Sequence, residues 1–107
     1  MLVFCILLGR KMIISQLSIA PLGVGTSLSK YVKIVVDEIE KSGVKNKTNA
    51  MATVIETKDL DTLFDVVKKA HNAMLKAGAQ RVITELKIDH RIDKDASYES
   101  KLSAIGK

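Results

Sequence analysis

Twice along this chain a helix-spaced apolar stripe stops at a glycine and an extended run follows at once. Glu40-Lys-Ser-Gly-Val-Lys45 closes the first stripe, and Leu75-Lys-Ala-Gly-Ala-Gln80 closes the second. Glycine at a helix end takes the left-handed backbone that other residues resist. A chain of 107 residues holds one core. Two helix-to-strand junctions in so short a chain therefore belong to two βαβ halves of a single domain.

The segments around these junctions complete the pattern. Met12–Ala20, MIISQLSIA, alternates as a strand, with Ile13, Ser15, Leu17 and Ile19 on one side and Ile14, Gln16 and Ser18 on the other. Pro21–Thr26 ends it, and Thr26 or Ser27 is placed to cap a helix. Leu28, Tyr31 or Val32, Val35 and Ile39 recur at helical spacing up to Lys41 and Gly43. Val44–Ala52 and Thr53–Thr57 read as an antiparallel hairpin. Thr57 or Asp59 caps the second helix, whose expected buried stripe is Leu63, Phe64, Val67, Ala70, Met74 and Leu75. Arg81–Asp89, RVITELKID, is the last strand, and Asp95–Ile105 has the length of a short terminal helix.

The order β-α-β-β-α-β predicts an α+β, ferredoxin-like sandwich: an antiparallel four-stranded sheet with two helices on one face. Right-handed crossovers put both helices on that face and leave the other bare. Val82, Leu86 and Ile88 then face the helices. Ile83, Glu85, Lys87 and Asp89 face the bare side with Gln16 and Ser18. So mixed a face is neither a core nor ordinary solvent decoration; it points to a partner sheet, a ligand, or both. The thin core of one small domain points the same way, toward a homodimer and a tetramer built as a dimer of dimers.

Residues 1–11 stand apart. Leu2–Leu8, LVFCILL, is too short to span a bilayer, which takes about 20 residues. No basic residue precedes it and no small-residue cleavage site follows, so it does not read as a signal peptide. Met12 opens a complete fold pattern. The boundaries adopted are an amino-terminal extension, 1–11, and a single domain, 12–107; the alternative is that 1–11 adds a strand or packs at an interface.

Charge and composition exclude several classes. The formal net charge is +5, yet the lysines are scattered, and Phe4, Tyr31, Phe64 and Tyr98 are the only aromatics. Base stacking needs aromatics grouped on one surface, so nucleic acid is not an expected partner, nor is a membrane. The lone Cys5 excludes an internal disulfide and fits a reducing cytoplasm. His71 and His90 have no companion at ligand spacing, so no metal and no cofactor is expected. Gly23-Val-Gly25 lacks the third glycine of a dinucleotide loop and reads as a turn. Asp89-x-Arg91-x-Asp93 reads as an ion-pair network or an oligomer contact rather than a catalytic cluster.

Three stretches carry a resemblance: Ser18-Ile-Ala-Pro-Leu-Gly23, Met51-Ala-Thr-Val-Ile-Glu56, and Gly78-Ala-Gln-Arg-Val-Ile-Thr84 leading to Lys87-Ile-Asp-His-Arg91. In this order and spacing, from Met12 to Asp93, the chain resembles the small thiamine-binding protein family. The family pattern usually has glycine after the second stretch, where Thr57 stands here. The resemblance implies a ferredoxin-like fold, homodimers paired into tetramers through their sheets, and a thiamine-like ligand. An aminopyrimidine asks for an adjacent donor and acceptor, which Gln16, Ser18, Asn49 or Thr53 supply. A thiazolium cation asks for a carboxylate, Glu56 or Glu85. Apolar walls come from Ile14, Met51, Ile55 and Ile83, and Lys87 completes the polar set. The expected function is a non-catalytic cytoplasmic oligomer binding thiamine or a related pyrimidine. The alternatives are a structural or regulatory oligomer with another small effector, and a small enzyme using Asp89, His90 and Arg91.

Overall fold

The computed structural model describes residues 12–25, 28–93 and 97–107. In chain order these form β1 (Ile13–Leu22), α1 (Ser29–Lys41), β2 (Lys45–Thr48), β3 (Thr53–Thr57), α2 (Leu60–Lys76), β4 (Arg81–His90) and α3 (Tyr98–Ala104). The strands make one antiparallel sheet in the order β2-β3-β1-β4. This is the ferredoxin-like α+β arrangement that the sequence pattern predicts. The expected extension, residues 1–11, lies outside the described residues, as do the expected cap residues Thr26 and Ser27 and the start of the terminal helix at Asp95.

Strand alternation builds the core. Ile13, Ser15 and Leu17 of β1 and Ile55 of β3 are buried on one sheet face. Val35 and Ile39 of α1 and Leu63, Val66, Ala70 and Met74 of α2 close over them in one cluster. Gly43 and Gly78, at φ +77° and +109°, end the two helices as the repeated junction requires. Asp59, not Thr57, caps α2: its carboxylate accepts the Thr62 N–H at 2.7 Å. A cap of this kind contributes about 1 kcal/mol.

Two expectations need correction. The buried stripe of α2 includes Val66, whereas Phe64 is 48% exposed and Leu75 42% exposed. One residue along a helix is a turn of about 100°, so Phe64 and Leu75 sit beside the stripe that Leu63 and Met74 belong to. The first hairpin strand stops at Thr48 instead of Ala52, because Asn49 opens a turn. Its Oδ1 accepts the N–H groups of Met51 (2.8 Å) and Ala52 (3.0 Å), and its own N–H donates to the Ala52 carbonyl at 2.9 Å.

Candidate ligand-binding face

The sheet face turned away from α1 and α2 is built by the alternate residues of all four strands. Strand register sets them in rows. Lys45, Glu56, Ile14 and Asp89 form one row across β2, β3, β1 and β4. Lys47, Val54, Gln16 and Lys87 form the next. Ser18 then stands opposite Glu85, and Ala20 opposite Ile83.

Helix α3 covers the first row. Its Lys101 ammonium pairs with Asp89, and its Glu99 carboxylate pairs with Lys45. The Tyr98 N–H donates to Glu56 Oε2 at 3.5 Å, and the Lys47 ammonium lies 5.1 Å from the centre of the Tyr98 ring. Ser97 caps the helix reciprocally with Ser100. Glu56 is only 8% exposed as a result, and its other charged neighbour is the Lys45 ammonium at 3.7 Å. The hydrogen bond and charge of Lys101 hold Asp89 below the usual carboxylate range, and those of Lys45 do the same for Glu99. The Glu99 hydrogen bond raises Lys45 in turn. A gap of about 10 Å³ between Lys45, Val54, Glu56 and Tyr98 is no larger than a water needs, so this end is closed in the docked state.

Beyond α3 the face is open. Gln16, Glu85 and Lys87 are exposed and Ser18 is half-buried. These four are neighbours, and Glu56 lies on the same face under α3. The other three expected ligand residues lie elsewhere. Asn49 is committed to the hairpin turn, and Met51, 85% exposed, sits at its tip. Thr53 is buried on the helix-covered face, 3.0 Å from the Thr48 hydroxyl. Asn49, Met51 and Thr53, together with Ser18, border a groove of about 90 Å³ that runs along Val32 and Val35 of α1. Ile55, expected as a wall of the site, belongs to the core.

Lys45, Tyr98, Glu99 and Lys101 were not foreseen. An amphipathic pattern behind Ser97 was the available signal, but nothing in it tells which sheet face the helix meets. The Arg91 guanidinium makes a two-pronged contact with Asp93, at 2.6 and 2.9 Å, so the terminal cluster is an ion-pair network. No metal-holding group of His, Cys, Asp and Glu occurs among the described residues, and none of the described helices is long and apolar enough to cross a membrane.

With this geometry in place, residues 15–106 match the pattern of the thiamine-binding protein family. The chain belongs to that family. A relative in Methanothermobacter thermautotrophicus, a UPF0045 protein, is 43% identical over 88% of this chain and 96% of its own length. A hypothetical protein of Methanocaldococcus jannaschii, known from its crystal structure, superposes with a TM-score of 0.83 at 45% identity, over 90% of this chain and 97% of that one. A Thermotoga maritima crystal structure, described as that of a "putative thiamine biosynthesis/salvage protein", has a TM-score of 0.77 at 19% identity, over 88% of this chain and 98% of that one, and shows the shared fold. The family is described by binding and carries no catalytic name.

Proposed function

We propose that this protein is a non-catalytic, cytoplasmic homo-oligomer that binds thiamine or a related pyrimidine on the open sheet face. The observation that carries this reading is Glu56: a carboxylate 8% exposed, on the sheet face turned away from α1 and α2, in a member of the thiamine-binding protein family. A buried carboxylate is costly unless a cation neutralises it. Lys45 fills that place now, held by Glu99 as well. A thiazolium lying over β3 and β1 supplies the same charge with less hydration once α3 and Lys45 have moved off Glu56. The aminopyrimidine then lies along β1, where the Gln16 amide offers both a donor and an acceptor and the Ser18 hydroxyl offers either. Lys87 and Glu85 stand directly opposite these two residues and fix the polar rim.

The groove beside the hairpin is a second placement for the same ligand, favoured by its volume and its Val32 and Val35 walls. Ser18, Thr48, Asn49 and Thr53 are the polar groups there.

Melting curves with thiamine, thiamine phosphates and the neutral pyrimidine half test the reading. A ligand that binds only the folded state raises the melting temperature with its concentration, by about 2.7 kcal/mol of stability at a hundredfold excess over Kd. No shift with any of the three at millimolar concentration overturns it. Loss of the shift in Gln16→Ala with retention in Val32→Ser assigns the sheet face; the reverse assigns the groove.

A further inference from the structure

We propose that α3 is an autoinhibitory strap: docked, it occupies the sheet face over Glu56 with its own cation, Lys101, and a cationic ligand reaches that end of the face only by displacing it. The inference rests on the thiamine reading above and names how access to that same site is controlled.

Three observations support it. First, α3 and the ligand compete for one place. The Tyr98 N–H lies 3.5 Å from Glu56 Oε2 and the Lys45 ammonium 3.7 Å from it. The space left between Lys45, Val54, Glu56 and Tyr98 is about 10 Å³, room for one water and far too little for a thiazolium ring. Docked α3 and a ring cation at Glu56 therefore exclude each other. Gln16, Glu85 and Lys87, further along the face, stay exposed. The strap closes the cation end and leaves the pyrimidine end open.

Second, the row beneath α3 is built to seat an apolar cation. Strand register places Ile14 between Glu56 on β3 and Asp89 on β4. Those two carboxylates are two strands apart, about 10 Å, with an apolar floor between them. Ile14 is 9% exposed although it lies outside the core cluster, and among the described residues α3 is the element over its face. Lys101 pairs with Asp89 and Lys45 with Glu56, so the docked row is neutral. Release of α3 takes Lys101 away and leaves two carboxylates with one lysine. Lys47 and Lys87 belong to the next row and are exposed. The vacated seat has the charge and the apolar floor that a ring cation asks for.

Third, the strap is held lightly. α3 has seven residues, none of them buried, and a helix so short does not persist in water by itself. Its anchors are two exposed ion pairs, Lys45–Glu99 and Asp89–Lys101, beside the half-buried Tyr98 and Leu102. Exposed pairs contribute little, and segments with few buried contacts open first. The apparent affinity of a ligand is then its intrinsic affinity scaled by the undocked fraction. By reciprocity the bound ligand holds α3 off the sheet.

Two variants of the full chain loosen the strap in different ways. Glu99→Gln with Lys101→Gln removes both ionic anchors and leaves the net charge unchanged; Leu102→Ser removes an apolar contact and touches no charge. Calorimetry with thiamine and with its neutral pyrimidine half is run on the parent and both variants, with circular dichroism as the check on folding. Thiamine is expected to bind each variant about fivefold tighter or more, and the neutral half to change by no more than about twofold. In the parent, the amide NMR signals of Tyr98–Ala104 are expected to move toward unstructured values as thiamine saturates. Thiamine bound no tighter by either variant, equal gains for both ligands, or α3 signals unmoved at saturation overturn the strap, while thiamine binding itself leaves the wider reading standing. No binding of thiamine by the parent or either variant at millimolar concentration overturns both.

Discussion

The Lys101 ammonium rests on the Asp89 carboxylate and so ties the last helix of the chain to its edge strand. With the Lys45–Glu99 pair, this contact closes α3 over one end of a sheet face that the βαββαβ order alone leaves bare. These ion pairs flank two half-buried side chains of α3, Tyr98 and Leu102.

This makes α3 docking dependent on pH and salt. Asp89 and Glu99 are both held below their ordinary values by their lysine partners. A lowered carboxylate contributes stability that is present above its unfolded pKa and lost as pH falls through its folded one. Lys45 is raised, so its contribution is lost only as pH rises through its folded value, above the usual lysine range. Amide NMR signals of Tyr98–Ala104 are expected to hold steady at neutral pH and to move toward unstructured values below about pH 4. High salt is expected to have the same effect at neutral pH. Signals unchanged down to pH 2.5 contradict the ionic account.

Glu56→Gln keeps the shape of the carboxylate and removes its charge. Hydrogen bonds and contacts to charged groups are worth about 1.5–3 kcal/mol. Affinity for thiamine is expected to fall about tenfold or more by calorimetry, and affinity for the neutral pyrimidine half by no more than about twofold. Equal losses for both ligands exclude Glu56 as the counter-ion.

The Thr57 hydroxyl is buried and has no hydrogen-bond partner among the described residues. An unpaired buried polar group costs about 1–3 kcal/mol, and valine has nearly the same shape. Thr57→Val is therefore expected to raise the melting temperature by a few degrees. A fall of similar size in calorimetry means that a water satisfies the hydroxyl.

Leu63 and Phe64 are adjacent in sequence and unequal in the fold. Leu63 is fully buried, and its truncation to alanine is expected to cost about 2–5 kcal/mol in urea unfolding. Phe64 is half exposed, and Phe64→Ala is expected to change unfolding by less than about 1 kcal/mol. Equal unfolding costs place Phe64 in the core.

Period-2 alternation was the strongest signal in the sequence. It assigned Gln16, Ser18, Glu85 and Lys87 to one face and Val82, Leu86 and Ile88 to the other, and the strand register places them so. The same parity separates Thr53 from Glu56, three positions apart on β3, so grouping them in one site ran against a signal that was present. The stripe on α2 is displaced by one residue from the expected one because Phe64 is apolar and lies next to the buried sector; composition does not distinguish a core face from an exposed one. The position of α3 was not legible. Its anchors Asp89 and Lys45 are distant in sequence, and exposed ion pairs leave no periodic trace.

The place of β1 at the centre of the sheet has a consequence for synthesis. Its two neighbours, β3 and β4, are made long after it, and the second comes near the end of the chain. A growing chain therefore carries the apolar β1 with its β4 flank open until Arg81–His90 has left the ribosome. The contacts that complete the sheet are among the most sequence-distant in the protein, which slows closure and prolongs exposure to aggregation. Chains stalled after α2 lack the partner that covers one side of β1, and these are the species on which a cell's chaperones would act.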